Sequence, residues 1–287
     1  MSARKLKTPP ARLVGMSISY TVLGIMALVA VFPALFTLIT SLMGEGEIIS
    51  SYYNAERPMD FHLIPRAVSL EGYLNTFLFT PNYLVKFWSS MALTLAIVAG
   101  QVVLSCLGAY GFAKFRFPLK GPIFYLLIIL MMMPLQVTLV SNFILLDALG
   151  LIGTYAAVIL PGIFSPFGVF LLTQVFSSIP DELIEAGKID GAGHLRILRS
   201  IVLPYGKTGI AALAMLSFID NWNMVEQPLV FLRSSTMYPF SVFLSRIDQM
   251  EPGKVFVCAV LAMVPVVILF IYLKDALVRG IEYSNMK

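Results

Sequence analysis

The chain of 287 residues is 58% hydrophobic and 13% charged, whereas a soluble globular domain carries about 25% charged residues; lipid is the solvent this composition fits. A net charge of +4 is too small to imply a nucleic-acid partner. The cysteines Cys106 and Cys258 lie far apart in apolar runs, and His62 and His194 neighbour neither a cysteine nor each other, so no disulfide framework, metal site or cofactor is expected.

Six hydrophobic stretches reach the roughly 20 residues that cross a bilayer core. They run over approximately 13–43, 84–113, 122–146, 154–176, 207–231 and 255–275. The first is too long for a signal-peptide core and no small-x-small cleavage site follows it, so it reads as a retained anchor helix with a kink at Pro33. The expected fold class is an all-α membrane protein with six transmembrane helices. A terminal segment 1–12, a six-helix domain 13–275 and a tail 276–287 make up its domains. Basic residues set the orientation. Arg4, Lys5, Lys7, Arg12, Lys114, Arg116, Lys120, Lys188, Arg196, Arg199, Lys207, Lys274, Arg279 and Lys287 fall on one side, against Arg57, Arg66, Lys86, Arg233, Arg246 and Lys254 on the other. The positive-inside rule then places both termini in the cytoplasm.

Between the first two stretches, residues 44–83 form an acidic-leaning outer segment with Glu45, Glu47, Glu56, Asp60 and Glu71, punctuated by Pro58, Pro65 and Pro81. It is either a dock for an external partner or a solvated connector. In the third and fourth stretches Pro134, Gln136, Pro161 and Pro166 predict irregular helices. The run Met131–Met133 reads as packing.

A polar, glycine-punctuated segment, DELIEAGKIDGAG over 181–193, separates the fourth and fifth stretches. Ser178 with Pro180 and Asp181 resembles a helix start with a capping hydroxyl, an early proline and acids at the positive end of the dipole. A short helix over about Asp181–Lys188 would bring Leu183, Ala186 and Gly187 onto one narrow face. Gly191 can take a positive φ and end it. A second amphipathic helix would follow with Leu195, Leu198 and Val202 on one side and Arg196 and Arg199 towards water, broken by Pro204. The charge rule makes this a cytoplasmic helix-turn-helix. By periodicity alone it could equally be an interfacial hairpin that covers the end of a bundle.

In the fifth stretch Asp220, Asn221, Trp222, Asn223 and Glu226 cluster. An unpaired charge at a helix centre costs about 2.5–3.5 kcal/mol on insertion scales, so these groups must face the bundle, a watery path or an interface. Trp222 could stack on a sugar face; helix–helix hydrogen bonding, with a kink at Pro228, is the structural alternative. Gly206-Lys207-Thr208 ends like a phosphate-binding loop, but position 201 is Ile where that loop needs Gly, and Pro204 and Tyr205 stiffen it. No ATP site follows.

Glu185-Ala186-Gly187-Lys188-Ile189-Asp190-Gly191-Ala192 followed by Ile201-Val202-Leu203-Pro204 resembles the EAA loop of bacterial ABC-importer membrane subunits, with Gly187 in place of the second alanine. Thr154–Pro161, Pro180–Leu183 and Asn221-Trp222-Asn223 are similar to carbohydrate-importer permeases of the maltose-transporter MalG type, a likeness that covers nearly the whole chain. The chain departs from that pattern at Ser89-Ser90, where Asn-Ser is common, and in the tail Tyr283-Ser284-Asn285-Met286-Lys287. The resemblance implies a permease subunit of an ATP-binding-cassette importer for a sugar or oligosaccharide, a multi-pass protein of the bacterial cytoplasmic membrane. It implies as partners two ATPase subunits, a second related permease and an extracytoplasmic solute-binding protein. It makes Glu185, Ala186, Gly187, Asp190, Gly191, Ala192, Leu203 and Pro204 the contacts that receive work from the ATPase. The competing class is an ion-coupled secondary carrier with Asp220 and Glu226 as ion sites, though such carriers generally show more spans or an inverted repeat. An enzyme is not expected: no paired carboxylates, Ser-His or His-Cys constellation occurs.

Overall fold

The computed structural model describes residues 10–53, 62–79, 82–246 and 252–284, with backbone alone at 10–15, 17, 252 and 275–284. The expected segment up to residue 9, the outer-segment positions Glu56, Arg57, Pro58, Asp60 and Pro81, and the tail residues Asn285, Met286 and Lys287 lie outside the described residues. The fold is all-helical; one isolated bridge, Met43 to Val68, is the only strand-like pairing among the described residues. Four helices are long and apolar enough to cross a membrane, or up to six if each of two bent pairs counts as one span.

The chain divides into two compact units. The first comprises residues up to 80 and 248–260, the second 81–247 and from 261 onward; the last helix, Pro252–Ser284, contributes to both.

In the first unit, helix Pro10–Thr40 contains Pro33, and Thr37 Oγ1 donates to the Pro33 carbonyl at 2.8 Å. Its apolar residues from Ile18 to Leu35 are exposed, as a lipid-facing anchor requires. The outer segment is built and not a bare connector where it is described. Glu47 Oε1 accepts from the Arg66 amide at 2.8 Å and pairs with His62 Nε2 at 2.9 Å, while Tyr52 donates to the His62 carbonyl at 2.7 Å. Partial desolvation pushes the Glu47 carboxyl up, but hydrogen bonds from Arg66 and His62 and their charges outweigh it and hold it below the usual carboxylate range.

In the second unit, helix Asn82–Lys114 packs against helices Pro166–Ser177 and Lys207–Trp222. A core of Ala109, Tyr110, Leu172, Phe176, Ile184, Ile197, Val202 and Leu213 joins this bundle to the 181–205 segment. Helix Asn82–Lys114 also holds Ser90, whose Oγ accepts the Phe240 amide at 2.5 Å and so caps helix Phe240–Ser245. The serine that departs from the importer pattern at Ser89-Ser90 is followed by one that does this structural work.

Three of the expected spans are interrupted; the stretch 154–176 is helices Ala156–Gly162 and Pro166–Ser177, parted over 163–165 just before Pro166, though together they still make one candidate span. The stretch 122–146 is two helices, Lys120–Met132 and Leu135–Ala148, at 102°. Pro134 has no N–H to continue the ladder and forces the preceding residue out of the helical region; Met133 sits at φ −71°, ψ 130°. The stretch 207–231 is likewise discontinuous: helix Lys207–Trp222 stops at Asn223 and a short helix, Glu226–Phe231, restarts with Pro228 in its first turn. The second bend, 78°, separates helical residues His194–Tyr205 from Lys207–Trp222. Its hinge is Gly206 and not Pro204. Pro204 stays helical, preceded by a wide π turn at Leu198–Val202. Gly206 is buried against Phe176, and a β-carbon there would collide with the Phe176 ring.

Candidate functional site

The segment 181–193 folds as helix Asp181–Ile189, a tight turn, and a second helical run from His194. The turn is a Schellman motif: Ala192 N–H donates to Gly187 O at 2.9 Å and Gly191 N–H to Lys188 O at 3.0 Å, with Gly191 at φ +77°. The expected cap differs. Pro180 is the N-cap and makes no side-chain bond, while the Ser178 hydroxyl donates to Val175 O and closes the preceding helix. A lysine anchors the start instead. Lys114 Nζ, its side chain only 5% exposed, donates to the Ile179 carbonyl and the Asp181 carboxylate, both at 2.6 Å. The Lys114 ammonium bonded to it holds the Asp181 carboxyl below the ordinary carboxylate range. In sequence Lys114 had registered only as a topological charge.

The face turned to the bundle also differs from the expected one. Ile184 and Gly187 are buried and Leu183 half-buried, whereas Ala186 and Glu185 are exposed. On the second run Leu198 and Val202 are buried as expected, with Leu203 half-buried and Pro204 exposed, but Leu195 is 74% exposed. Ala192 is half-buried; Asp190 and Gly191 are exposed. The hairpin therefore pins one face to its own bundle and leaves Ile189, 86% exposed, and Leu195 outward. Lone exposed apolar residues are common; two of them on one polar, stapled hairpin form a surface that another chain can cover.

The polar cluster of the fifth stretch opens onto a cavity of about 530 Å³. Asp220, Asn221 and Asn223 at the end of helix Lys207–Trp222 and Glu226 beyond the break line it together with Gln101, Gln136, Ser165 and Ser217. Gln136 Nε2 donates to both Glu226 oxygens, at 3.1 and 3.2 Å, and so links the 102° bend to the second break. Gln101 Nε2 donates to Gly162 O at 2.6 Å. Trp222 does not join them. It is 4% exposed, its ring stacks on Phe218 at 5.7 Å, and its Nε1 donates to Ala262 O at 3.0 Å. The indole locks helix to helix and is not available to stack on a solute. Gln101, Ser165 and Ser217 had not been singled out in the sequence; a search for polar residues inside otherwise apolar helices would have found them. Among the described residues no group of His, Cys, Asp or Glu could hold a metal ion.

Residues 92–283 match the family described as binding-protein-dependent transport system inner membrane component. The chain belongs to this family. It is 32% identical over 286 residues to the sn-glycerol-3-phosphate transport system permease protein UgpE of Rhizobium meliloti, covering 96% of this chain and 97% of that one. It is 30% identical over 272 residues to the arabinooligosaccharides transport system permease protein AraQ of Bacillus subtilis, covering 91% and 92%. A chain from the crystal structure of a bacterial ABC transporter involved in the import of the acidic polysaccharide alginate shares the fold, with a TM-score of 0.80 at 20% identity over 94% of this chain and 98% of that one. The expectation of an ABC-importer permease is met, and the family supports it over the ion-coupled carrier. The permease segment most like the EAA loop, 185–204, and the polar cavity both lie inside the matched range.

Proposed function

We propose that this permease subunit crosses the bacterial cytoplasmic membrane six times with both termini inside, imports a sugar or related polyol, and receives its driving force through the 181–205 hairpin. The bent pair 120–148 then acts as one broken span and 207–231 as another, while 194–205 stays with the hairpin on the cytoplasmic side, where most of the basic residues lie. The hairpin is a rigid lever: Lys114 and the buried Ile184, Ile197 and Val202 tie it to the bundle, and Glu185, Ala186, Asp190 and Gly191 face outward. A groove in an ATPase subunit can hold such a short helix. Nucleotide-driven closure of two ATPases would move the hairpins of this permease and of a second related permease, and re-aim the cavity around Asp220 and Glu226. A solute-binding protein would deliver the solute from outside. Coupling of this kind requires contacts that differ between the two states.

The observation that carries the reading is the outward pair Ile189 and Leu195 on a hairpin whose opposite face is already packed. The test is Ile189→Asp in the membrane complex. ATPase subunits should no longer copurify, while the permease still inserts. An undisturbed complex with normal uptake would remove the hairpin from its role.

A further inference from the structure

The cavity beside Asp220 has a sign. Among the residues that line it Asp220 and Glu226 are carboxylates, and none is Lys, Arg or His. Phosphate and carboxylate ligands are held by cations, by bidentate guanidinium groups or by free backbone N–H groups at a helix start. Three helix starts reach the lining: the one at Glu226 carries an acid and has Pro228 in its first turn, the one at Pro166 begins with a residue that has no N–H and has its Gly168 N–H taken by Ser165 Oγ, and the one at Leu135 has Gln136 bonded to the Glu226 carboxylate.

The hydrogen-bonding character points the same way. An amide that faces a carbonyl must present its N–H there. Asn221 Nδ2 donates to Ser217 O at 2.7 Å, Asn223 Nδ2 to Ile219 O at 2.9 Å, and Gln101 Nε2 to Gly162 O at 2.6 Å. Gln136 Nε2 is engaged by both oxygens of Glu226. These four amides are thus engaged within the protein; Gln227 and the Ser165 and Ser217 hydroxyls also line the cavity, and the carboxylates of Asp220 and Glu226 weight it towards acceptors. Gln101 Oε1 is buried and has no hydrogen-bond partner. A lining rich in acceptors suits a ligand rich in donors, and a hydroxyl group brings one O–H each. A phosphate ester dianion brings acceptors and like charge to the same place. At about 530 Å³ the cavity lies within the range of small-molecule sites.

We infer that this subunit's part of the path accepts neutral, hydroxyl-rich solutes and disfavours phosphate esters and other anions, an inference that rests on reading the cavity as part of the solute path. The two relatives named above divide on this point, one named for a phosphate ester and one for neutral oligosaccharides; the cavity's chemistry sides with the second.

The test uses the full complex, with its partner permease, ATPases and binding protein, in proteoliposomes loaded with ATP. An equimolar external mixture of glycerol 3-phosphate, glucose 6-phosphate, glycerol, and neutral pentose and hexose oligosaccharides is offered, and ATP-dependent accumulation is read by mass spectrometry. Neutral solutes should accumulate about tenfold or more over the anions, and Asp220→Asn with Glu226→Gln should move that ratio about tenfold towards the phosphate esters. ATP hydrolysis stimulated by the binding protein reports that the variant complex is assembled. ATP-driven accumulation of a phosphate ester by the wild-type complex overturns the inference and leaves the importer reading intact. An unchanged ratio in an assembled variant also overturns it. No ATP-dependent accumulation of any solute overturns the importer reading and the inference together.

Discussion

Gly191 is the position where the hairpin's geometry makes the sharpest demand. Its φ is +77°, and a β-carbon built there meets no atom within 4 Å. Steric crowding by neighbours therefore contributes nothing, and the whole cost of a side chain is local backbone strain. For an L-residue in the left-handed region that cost is roughly 1–2 kcal/mol, higher for a β-branched residue and lower for Asn, which tolerates this region. Since about 1.4 kcal/mol is a factor of ten in an equilibrium constant, Gly191→Ala should shift the formed turn about five- to thirtyfold towards an opened one. Asn should cost least and Val most. In proteoliposomes the ratio of solute imported to ATP hydrolysed should fall in the order Gly, Asn, Ala, Val, while membrane insertion is unaffected. Trypsin cleavage after Lys188 and Arg196, which flank the turn, should accelerate in the same order. If Gly191→Val imported solute at the wild-type ratio with unchanged cleavage, the Schellman turn would not be the element that transmits force.

Lys114→Met should leave the Ile179 carbonyl without its buried donor, a loss of about 1–3 kcal/mol readable as earlier melting in detergent. The same change should raise the pKa of Asp181, followed by carbon NMR of the side chain. In the wild-type protein this carboxyl is held below its unfolded value, so the ion pair is complete above the ordinary carboxylate pKa and is lost as pH falls through the depressed one. Gly206→Ala should cost about 1–3 kcal/mol by overpacking, because its new methyl meets the fully buried Phe176 ring; Phe176→Leu in the same chain should recover part of it. Trp222→Phe should lower stability by about 1 kcal/mol through the lost bond to Ala262 O, while the order of preference among imported solutes stays as it is; a changed preference would return Trp222 to the solute path.

What could be read in advance divides along physical lines. Hydropathy is a sum over many residues, so the apolar helices emerged within a few residues of most of their ends; the last runs on to Ser284, past its apolar stretch. The Gly191 turn was equally legible, because few residues tolerate a positive φ. Bends were harder. Pro134 and Pro204 are both prolines within apolar runs, yet one ends a helix at a 102° corner and the other rides inside helical backbone behind a widened turn. The deciding element at the second corner is the space beside Gly206, which Phe176 fills, and no local pattern encodes a ring that comes from another helix.

The same reason separates Trp222 from its neighbours. Composition put Asp220 to Glu226 in one cluster, but a helix turns about 100° per residue, so adjacent polar and aromatic residues cannot all face one cavity. Asp220 and Asn223, three residues apart on one face, open to the cavity with Asn221, Trp222 goes to Phe218 and Ala262, and Glu226 reaches it from beyond the stop at Asn223. The break is thus a requirement of the site. An unbroken helix from 207 to 231 would carry Glu226 on round the helix, whereas the interruption holds it against Gln136 beside Asp220. A substitution that restored continuous helix across 223–225 should separate Glu226 from Gln136 and abolish uptake while the remaining packing around Trp222 survives.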